Sequence, residues 1–509
     1  MSNEWLGLLA LGILFIAIFI GFPISFTLIA VALGVGWFAL GEVSIHLMTL
    51  QFFSVMKETS LASVPFFLFM GYLLEQSGLM RRLFHGVQQL LGGVRGSLYL
   101  AVLITATIFA AATGIVGSSV TLLGVMAAPS MKASGYDIRM SAGAITAGGT
   151  LGILIPPSVM LIVMGPVVGV PTTDLFAAAV MPGLLLSLLY IVYCLGRSYL
   201  NPALGPPLAP ELRTDSKWQV LKELAVGVIP VVVVILATLG VILAGIATPT
   251  DAGAIGAFVV FLLTVVSGTM TWDKLKRSVY ATLEVSCMIL LLVAASNYFG
   301  AIFSRLGTAT MIADALIALP FPPMVMLMLI LAVIFVLAWP LEWVPIVLIV
   351  VPIMLPLVQK LGIDLVWFCT LVAVCLQTAW LSPPVALSAY FLKGVVPDWK
   401  LSDIYAGMMQ FMVLQLIALA LVFLFPEIAL WLPAQPGRWH ELHQTQQQTL
   451  LTCEFRTFVN RLMRVPCQVL KTGRQLVLRL LAWNDWQPLF FRLSDQFTPA
   501  RRCAHPQRC

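Results

Sequence analysis

Apolar residues run along this chain in long charge-free stretches: Trp5 to Gly41, Gly96 to Met131, Met140 to Thr173, Leu224 to Thr250, Ala315 to Leu341 and Leu365 to Leu392 are six of them. Polar and apolar positions do not alternate within them. A helix needs about 20 apolar residues to cross the hydrocarbon core of a bilayer, so the longest runs hold two crossings, or one crossing and a re-entrant piece. The pattern predicts roughly a dozen membrane segments by that length rule. Membrane-spanning strands would alternate between lipid-facing and lumen-facing residues, and these runs do not. The predicted fold class is therefore an all-α polytopic membrane protein.

Composition agrees with this reading: of 509 residues, 60% are hydrophobic and 10% charged. The net charge of +6 is unevenly placed, because residues 436–509 carry 11 Lys or Arg against 4 Asp or Glu. The preceding 435 residues are close to neutral. Short basic loops at Arg81-Arg82 with Arg95, at Lys132 with Arg139, and at Lys274-Leu275-Lys276-Arg277 favour the cytoplasmic side. No basic n-region precedes the first apolar run, so residues 5–41 read as retained membrane segments, and the expected location is the inner membrane of a bacterium.

Several chemistries are excluded. No G-x-x-x-x-G-K-[ST] loop is present to bind a nucleotide triphosphate, and no H-E-x-x-H to hold zinc. The five histidines are scattered, and the eight cysteines contain no C-x-x-C pair. The chain is expected to be no enzyme and to hold no cofactor; energy for any transport must come from elsewhere than a nucleotide site in this chain.

A repeat is hidden in the spacing. In "APSMKASGYD" (128–137) and "LPLVQKLGID" (355–364), Pro129, Gly135 and Asp137 align with Pro356, Gly362 and Asp364 at an offset of 227. At the same offset Pro156-Pro157 falls on Pro383-Pro384. Each half, about 96–170 and 323–397, holds an apolar segment ending in a Gly-x-Asp turn and a second one interrupted by Pro-Pro. Membrane transporters built from paired halves place their binding sites at such breaks, where backbone groups are exposed to ions and substrate. An ordinary proline kink is the blander reading of either break alone. Among acids near the runs, Asp251 reads as a helix-start residue beside the capping Thr248. Glu342, in "AWPLEWVPIVL", is either a hairpin tip or a turn at the membrane surface.

The stretches "GYDIRMSAGAITAGGTLGILIPPSVMLIVMG", "LEWVPIVLIVVPIMLPLVQKLGID" and "LQTAWLSPPVALSAYFLKGVVP" resemble the large membrane subunit of tripartite ATP-independent periplasmic (TRAP) transporters, over residues of about 5 to 435. Within that family, "QTAWLSPP" and "YFLKGV" look like the branch associated with keto acids, mannitol and chloroaromatic compounds. The resemblance implies a sodium-driven importer of organic anions, carboxylates or sulfonates, with an elevator architecture and two re-entrant hairpins. It implies two partners: a periplasmic substrate-binding protein and a small four-helix membrane subunit. It also implies a first sodium site from Ala110, Thr113, Gly152, Ile155 and Pro156, and a second from Ala338, Ala379, Ser382 and Val385. Ser118, Ser119, Gln377 and Thr378 are the substrate candidates. The family's Ser-Gly-Ser-Ser aligns with Thr113-Gly114-Ile115-Val116, and Cys375, Ala379, Trp380 and Ala386 replace an asparagine and glycines frequent in the family.

The alternative function is a stand-alone sodium- or proton-coupled symporter of the divalent-anion type, which would need neither partner. The tail, 436–509, falls outside the family pattern. It reads either as a basic amphipathic helix over 455–483 lying on anionic lipid, or as an extension of low order left by a frameshift or a missed stop.

Overall fold

The computed structural model describes residues 3–208, 216–318, 320–383 and 386–434, and two short strands in the tail. The chain divides into two units, Met1–Gln435 and Pro436–Cys509.

The first unit is helical. Its opening part comprises α1 (Asn3–Ile20), α2 (Ile24–Leu40), α3 (Val43–Lys57), α4 (Ser63–Gln76) and α5 (Leu79–Leu91). Then come α6 (Ser97–Thr113), α7 (Val116–Ala133), α8 (Ile138–Leu154), α9 (Val159–Val168) and α10 (Thr172–Leu200). A connecting group follows: α11 (Lys217–Ile235), α12 (Pro249–Val266), α13 (Trp272–Arg305) and α14 (Thr308–Ile317). The last stretch is α15 (Pro323–Ala338), α16 (Trp343–Lys360), α17 (Leu365–Leu376), α18 (Leu387–Val395) and α19 (Leu401–Leu424).

Among the described residues, seven helices are long and apolar enough to cross a membrane, or nine if each of two bent pairs counts as one span. Further apolar helices are shorter because turns and breaks divide the runs, as Gly21-Phe22-Pro23 divides the first into α1 and α2.

The offset of 227 read from the sequence also relates element boundaries. The range 116–133 of α7 maps onto 343–360 of α16, and α6, α8, α9 and α10 fall on α15, α17, α18 and α19 within a few residues. The two Gly-x-Asp turns share one geometry. Gly135 and Gly362 take φ of 71° and 67°, a left-handed conformation that costs glycine nothing. The backbone N–H of the next residue donates back five positions, Tyr136 to Met131 and Ile363 to Val358. The aspartate then caps the following helix: Asp137 accepts from Met140 N and Asp364 from Trp367 N, both at 2.8 Å.

The core lies around α8. Every residue of α8 from Met140 to Leu154 is buried, with α6, α7 and α19 packed along it. Lipid supplies little hydrophobic drive for helices to associate, so close backbone approach through small residues does the work. Here Ala142, Gly143, Ala144, Ala147, Gly148, Gly149 and Gly152 provide it. A Cβ on Gly407 of α19 would fall 1.9 Å from the Arg139 carbonyl oxygen, and one on Gly143 would fall 2.8 Å from the Gly407 oxygen.

Outside the apolar helices, Lys132 Nζ donates to Asp398 Oδ2 at 2.6 Å, joining the end of α7 to the turn between α18 and α19. The lysine holds the Asp398 carboxyl below its usual range. A depressed carboxylate adds stability that is present above its unfolded pKa and lost as pH falls through the folded one. Both side chains are exposed, so solvent screens the pair. Lys132→Ala is expected to leave the thermal unfolding midpoint at pH 7 unchanged within error, as differential scanning fluorimetry would check.

In the second unit, Cys467–Thr472 and Gln475–Leu480 pair as antiparallel strands, with Cys467 opposite Leu480. This corrects the helical reading of 455–483 over 467–472 and 475–480; the rest of that range lies outside the described residues. Pro466 blocks a helix running into the segment, and the two-residue connection Gly473-Arg474 has the length of a tight hairpin. The reading of the tail as an extension of low order falls otherwise outside the described residues.

Candidate functional site

α6 and α7 form a hairpin rather than one long helix. α8 shows this: at Gly148 it faces Ala106 and Leu103 of α6, at Gly149 it faces Val120 of α7, and at Gly152 it faces Gly114 between them. The tip at Thr113-Gly114-Ile115 is made by Gly114 in a left-handed conformation, φ 63°, followed by extended Ile115. That tip sits against the Pro-Pro break separating α8 from α9, two helices bent by 40°. A Cβ on Gly152 would lie 3.6 Å from Gly114 Cα, and one on Gly114 would lie 2.7 Å from the Pro157 carbonyl oxygen. Backbone therefore meets backbone without side chains between.

The structure thus brings Thr113, Gly152, Ile155 and Pro156 to one place, with Ala110 one turn below the tip. The Ala110 carbonyl accepts from Gly114 N at 3.4 Å, and the Thr113 hydroxyl donates to the Phe109 carbonyl at 3.0 Å. The Thr113 carbonyl points toward Gly71 of α4, where a Cβ would meet it at 2.7 Å. Ile155 leans on Gly183 of α10.

Proline chemistry sets which carbonyls are spare. Pro156 and Pro157 have no N–H to give to the oxygens four residues back, on Gly152 and Ile153. The Ser158 hydroxyl donates to the Ile153 oxygen. The second half repeats this arrangement: Pro383 and Pro384 cannot serve Ala379 and Trp380, and the Ser388 hydroxyl donates to the Trp380 oxygen. In each half a serine replaces one lost amide. Gly152 and Ala379 are left without their helical donor.

Ala338, the buried last residue of α15, ends a helix packed on α17 and on the 3₁₀ turn Gln377–Trp380 that carries Ala379. Ser382 is buried; its hydroxyl donates to the Thr378 carbonyl at 2.6 Å and lies 3.2 Å from Met412 Sδ. Val385 lies outside the described residues. Glu342 is exposed at the break between α15 and α16. Thr248 and Asp251 form the helix start expected for that pair, the hydroxyl accepting from Asp251 N at 3.3 Å.

The substrate candidates are mostly occupied by the protein itself. Ser119 donates to the Ile115 carbonyl at 2.6 Å and Thr378 to the Cys375 carbonyl at 2.7 Å. Ser118, half-buried, lies against the Glu75 carboxyl of α4. Gln377 has a different task. Oriented by its neighbours, as an amide must be, its side chain donates to the Thr150 carbonyl at 2.9 Å and accepts from Leu154 N at 3.2 Å. It ties the second break to the last turn of α8 beside the first. Sequence reasoning missed this link, because a single glutamine in an apolar run does not announce which backbone it reaches.

Ala386, just after the second break, takes φ of 26°, among the described residues the one non-glycine residue at positive φ. A Cβ there costs roughly 1–2 kcal/mol. Ala386→Gly is expected to raise the thermal midpoint by a few degrees, readable by scanning fluorimetry; an unchanged or lower midpoint would mean that the unfolded chain gains as much from glycine.

A bundle of apolar helices with two proline breaks tied together at its centre defines a multi-pass membrane permease. Residues 11–428 match the family model "Tripartite ATP-independent periplasmic transporter, DctM component", and the chain belongs to that family, one of transport permeases and not of enzymes. It is 29% identical to the sialic acid TRAP transporter large permease protein SiaM of Vibrio cholerae over 84% of this chain and 96% of that one. It is 28% identical to the C4-dicarboxylate TRAP transporter large permease protein DctM of Rhodobacter capsulatus, over 84% and 98%. The isethionate TRAP transporter permease protein DctMQ of Oleidesulfovibrio alaskensis is 28% identical over 80% of this chain, which spans 63% of that relative. Among solved structures, the fold is similar to the YdaH transporter of Alcanivorax borkumensis, with a TM-score of 0.55 at 14% identity, covering 77% of this chain and 89% of that one.

Proposed function

We propose that this chain is the sodium-coupled translocation subunit of a tripartite importer of small organic anions in a bacterial inner membrane. The observation that carries the proposal is the pairing of two proline breaks, each with one carbonyl deprived of its helical donor, at Gly152 and at Ala379. Such carbonyls suit a hard cation that takes oxygen ligands. Among the described residues no group of three or more His, Cys, Asp or Glu is placed to hold a metal ion. In this reading Ala110, Thr113, Gly152, Ile155 and Pro156 hold one sodium ion, and Ala338, Ala379, Ser382 and Val385 the other. The α6–α7 and α15–α16 hairpins are re-entrant, and the body they belong to moves as an elevator.

The substrate class follows from the relatives, whose named substrates include sialic acid, C4-dicarboxylates and isethionate. All are organic anions. The partners are a periplasmic binding protein and a small four-helix membrane subunit. The longer DctMQ relative has room for that subunit within one chain, whereas residues 11–428 here match the large component alone.

The test is uptake into proteoliposomes holding this chain and the small membrane subunit, with and without a sodium gradient and the cognate binding protein. Uptake that needs both is expected. Entry of free substrate without the binding protein would favour the stand-alone divalent-anion symporter, and indifference to sodium would remove the ion assignment.

A further inference from the structure

α5 carries two arginines and a histidine on one face and packs the other against α11. The approach is close. A Cβ on Gly86 would lie 3.0 Å from Leu224 Cα, and one on Gly227 would lie 2.8 Å from Leu83 Cα, so the two helices cross on their glycines. Beside the crossing, α5, α11 and α7 enclose a cleft of about 780 Å³.

Its lining combines two chemistries. Arg81, Arg82 and Lys222 bring three positive charges, and among the described residues none of these side chains has a hydrogen-bond or ion-pair partner. Glu223, the carboxylate of the lining, sits 3.5 Å from His85 Nε2. The same cleft is walled by Val125 and Val226, each more than two-fifths exposed. Cations beside exposed aliphatic side chains, next to α11, which lies in an apolar stretch long enough to cross a membrane, fit a molecule with a phosphate at one end and hydrocarbon at the other.

We propose that the cleft between α5, α7 and α11 binds an anionic glycerophospholipid, its phosphate held by Arg81, Arg82 and Lys222 and its acyl chains lying on Val125 and Val226. Basic pockets between membrane helices on the cytoplasmic side select such headgroups. Arg81 and Arg82, which the structure places on α5 and not in the loop expected from the sequence, carry the charge bias that marks that side. A free phosphate would share the polar contacts but make no use of the aliphatic wall. Bound there, the lipid joins α7, one arm of the first hairpin, to the α5–α11 pair.

The experiment is native mass spectrometry of the full chain in detergent, titrated separately with phosphatidylglycerol, phosphatidylcholine and inorganic phosphate. Its readout is independent of transport. Phosphatidylglycerol is expected to stay bound where phosphatidylcholine does not. Combining Arg81→Gln, Arg82→Gln and Lys222→Gln is expected to weaken it on the order of a hundredfold. Lys276→Gln with Arg277→Gln, basic residues outside the cleft, should bind like the parent. Val226→Trp keeps every charge but fills the aliphatic wall, and should also lose the lipid while eluting as a monodisperse peak. Equal retention by the triple variant and the parent would overturn the proposal. So would inorganic phosphate competing as well as the lipid does, which would make the cleft a site for soluble anions.

Discussion

Replacing Gly407 with leucine is expected to abolish recovery of a folded, monodisperse chain. A Cβ at this position falls 1.9 Å from the Arg139 carbonyl oxygen and 3.0 Å from Gly143 N, so the first added atom strikes backbone on the neighbouring helix. Side chains can rotate away from an intruder, but a buried helix backbone cannot. Overpacking a core costs about 1–3 kcal/mol where repacking is available, and here α8 is buried along its whole described length from Met140. Gly196→Leu is the control: it also lies in a long apolar helix, and nothing stands within 4 Å of its Cβ position. Size-exclusion chromatography of the two variants should separate them cleanly. A monodisperse Gly407→Leu protein would mean that α8 and α19 are farther apart than described.

The second large effect is expected at Gln377. Leucine there keeps the bulk and removes both hydrogen bonds, leaving the Thr150 carbonyl and Leu154 N without that partner. Each buried hydrogen bond lost costs roughly 0.5–1.5 kcal/mol, and the loss falls where the two breaks are tied together. We expect uptake to drop at least about tenfold, since a shift of 1.4 kcal/mol is already a factor of ten. The chain should still express and elute normally. Gln377→Glu sharpens the test, because an ionised carboxylate accepts but cannot donate and would face the Thr150 oxygen. If both variants transport at parental rates, the link is structural only.

Much of this architecture was legible in the residues. The offset of 227 between the Gly-x-Asp turns and between the proline pairs is local chemistry: glycine for positive φ, aspartate for a cap, proline for a missing donor. Those signals lie within a few residues of their effects, so they survive in sequence. The spare carbonyls of Gly152 and Ala379 follow from the same reasoning, four positions before each first proline. What was not legible depends on distant partners. Nothing near Ser119 or Thr378 tells whether a hydroxyl faces a substrate or the preceding turn. Gln377 looked like a ligand candidate because its backbone partner lies more than 200 residues away. The tail was ambiguous for another reason: its basic residues suit an amphipathic helix as well as a hairpin, and Pro466 with Gly473 bears on that choice.

The Gln377 hydrogen bond bears on ancestry and symmetry. Under the offset of 227, Gln377 answers to Thr150, the residue whose carbonyl it reaches. Positions exchanged by a two-fold rotation can touch only where the axis passes, so this contact would lie on the seam between two matched halves. Two identical subunits must place the same side chain at both positions. A single chain is free of that rule. One half can supply the amide and the other only its backbone, a lopsided bond that a symmetric pair of identical subunits could not make.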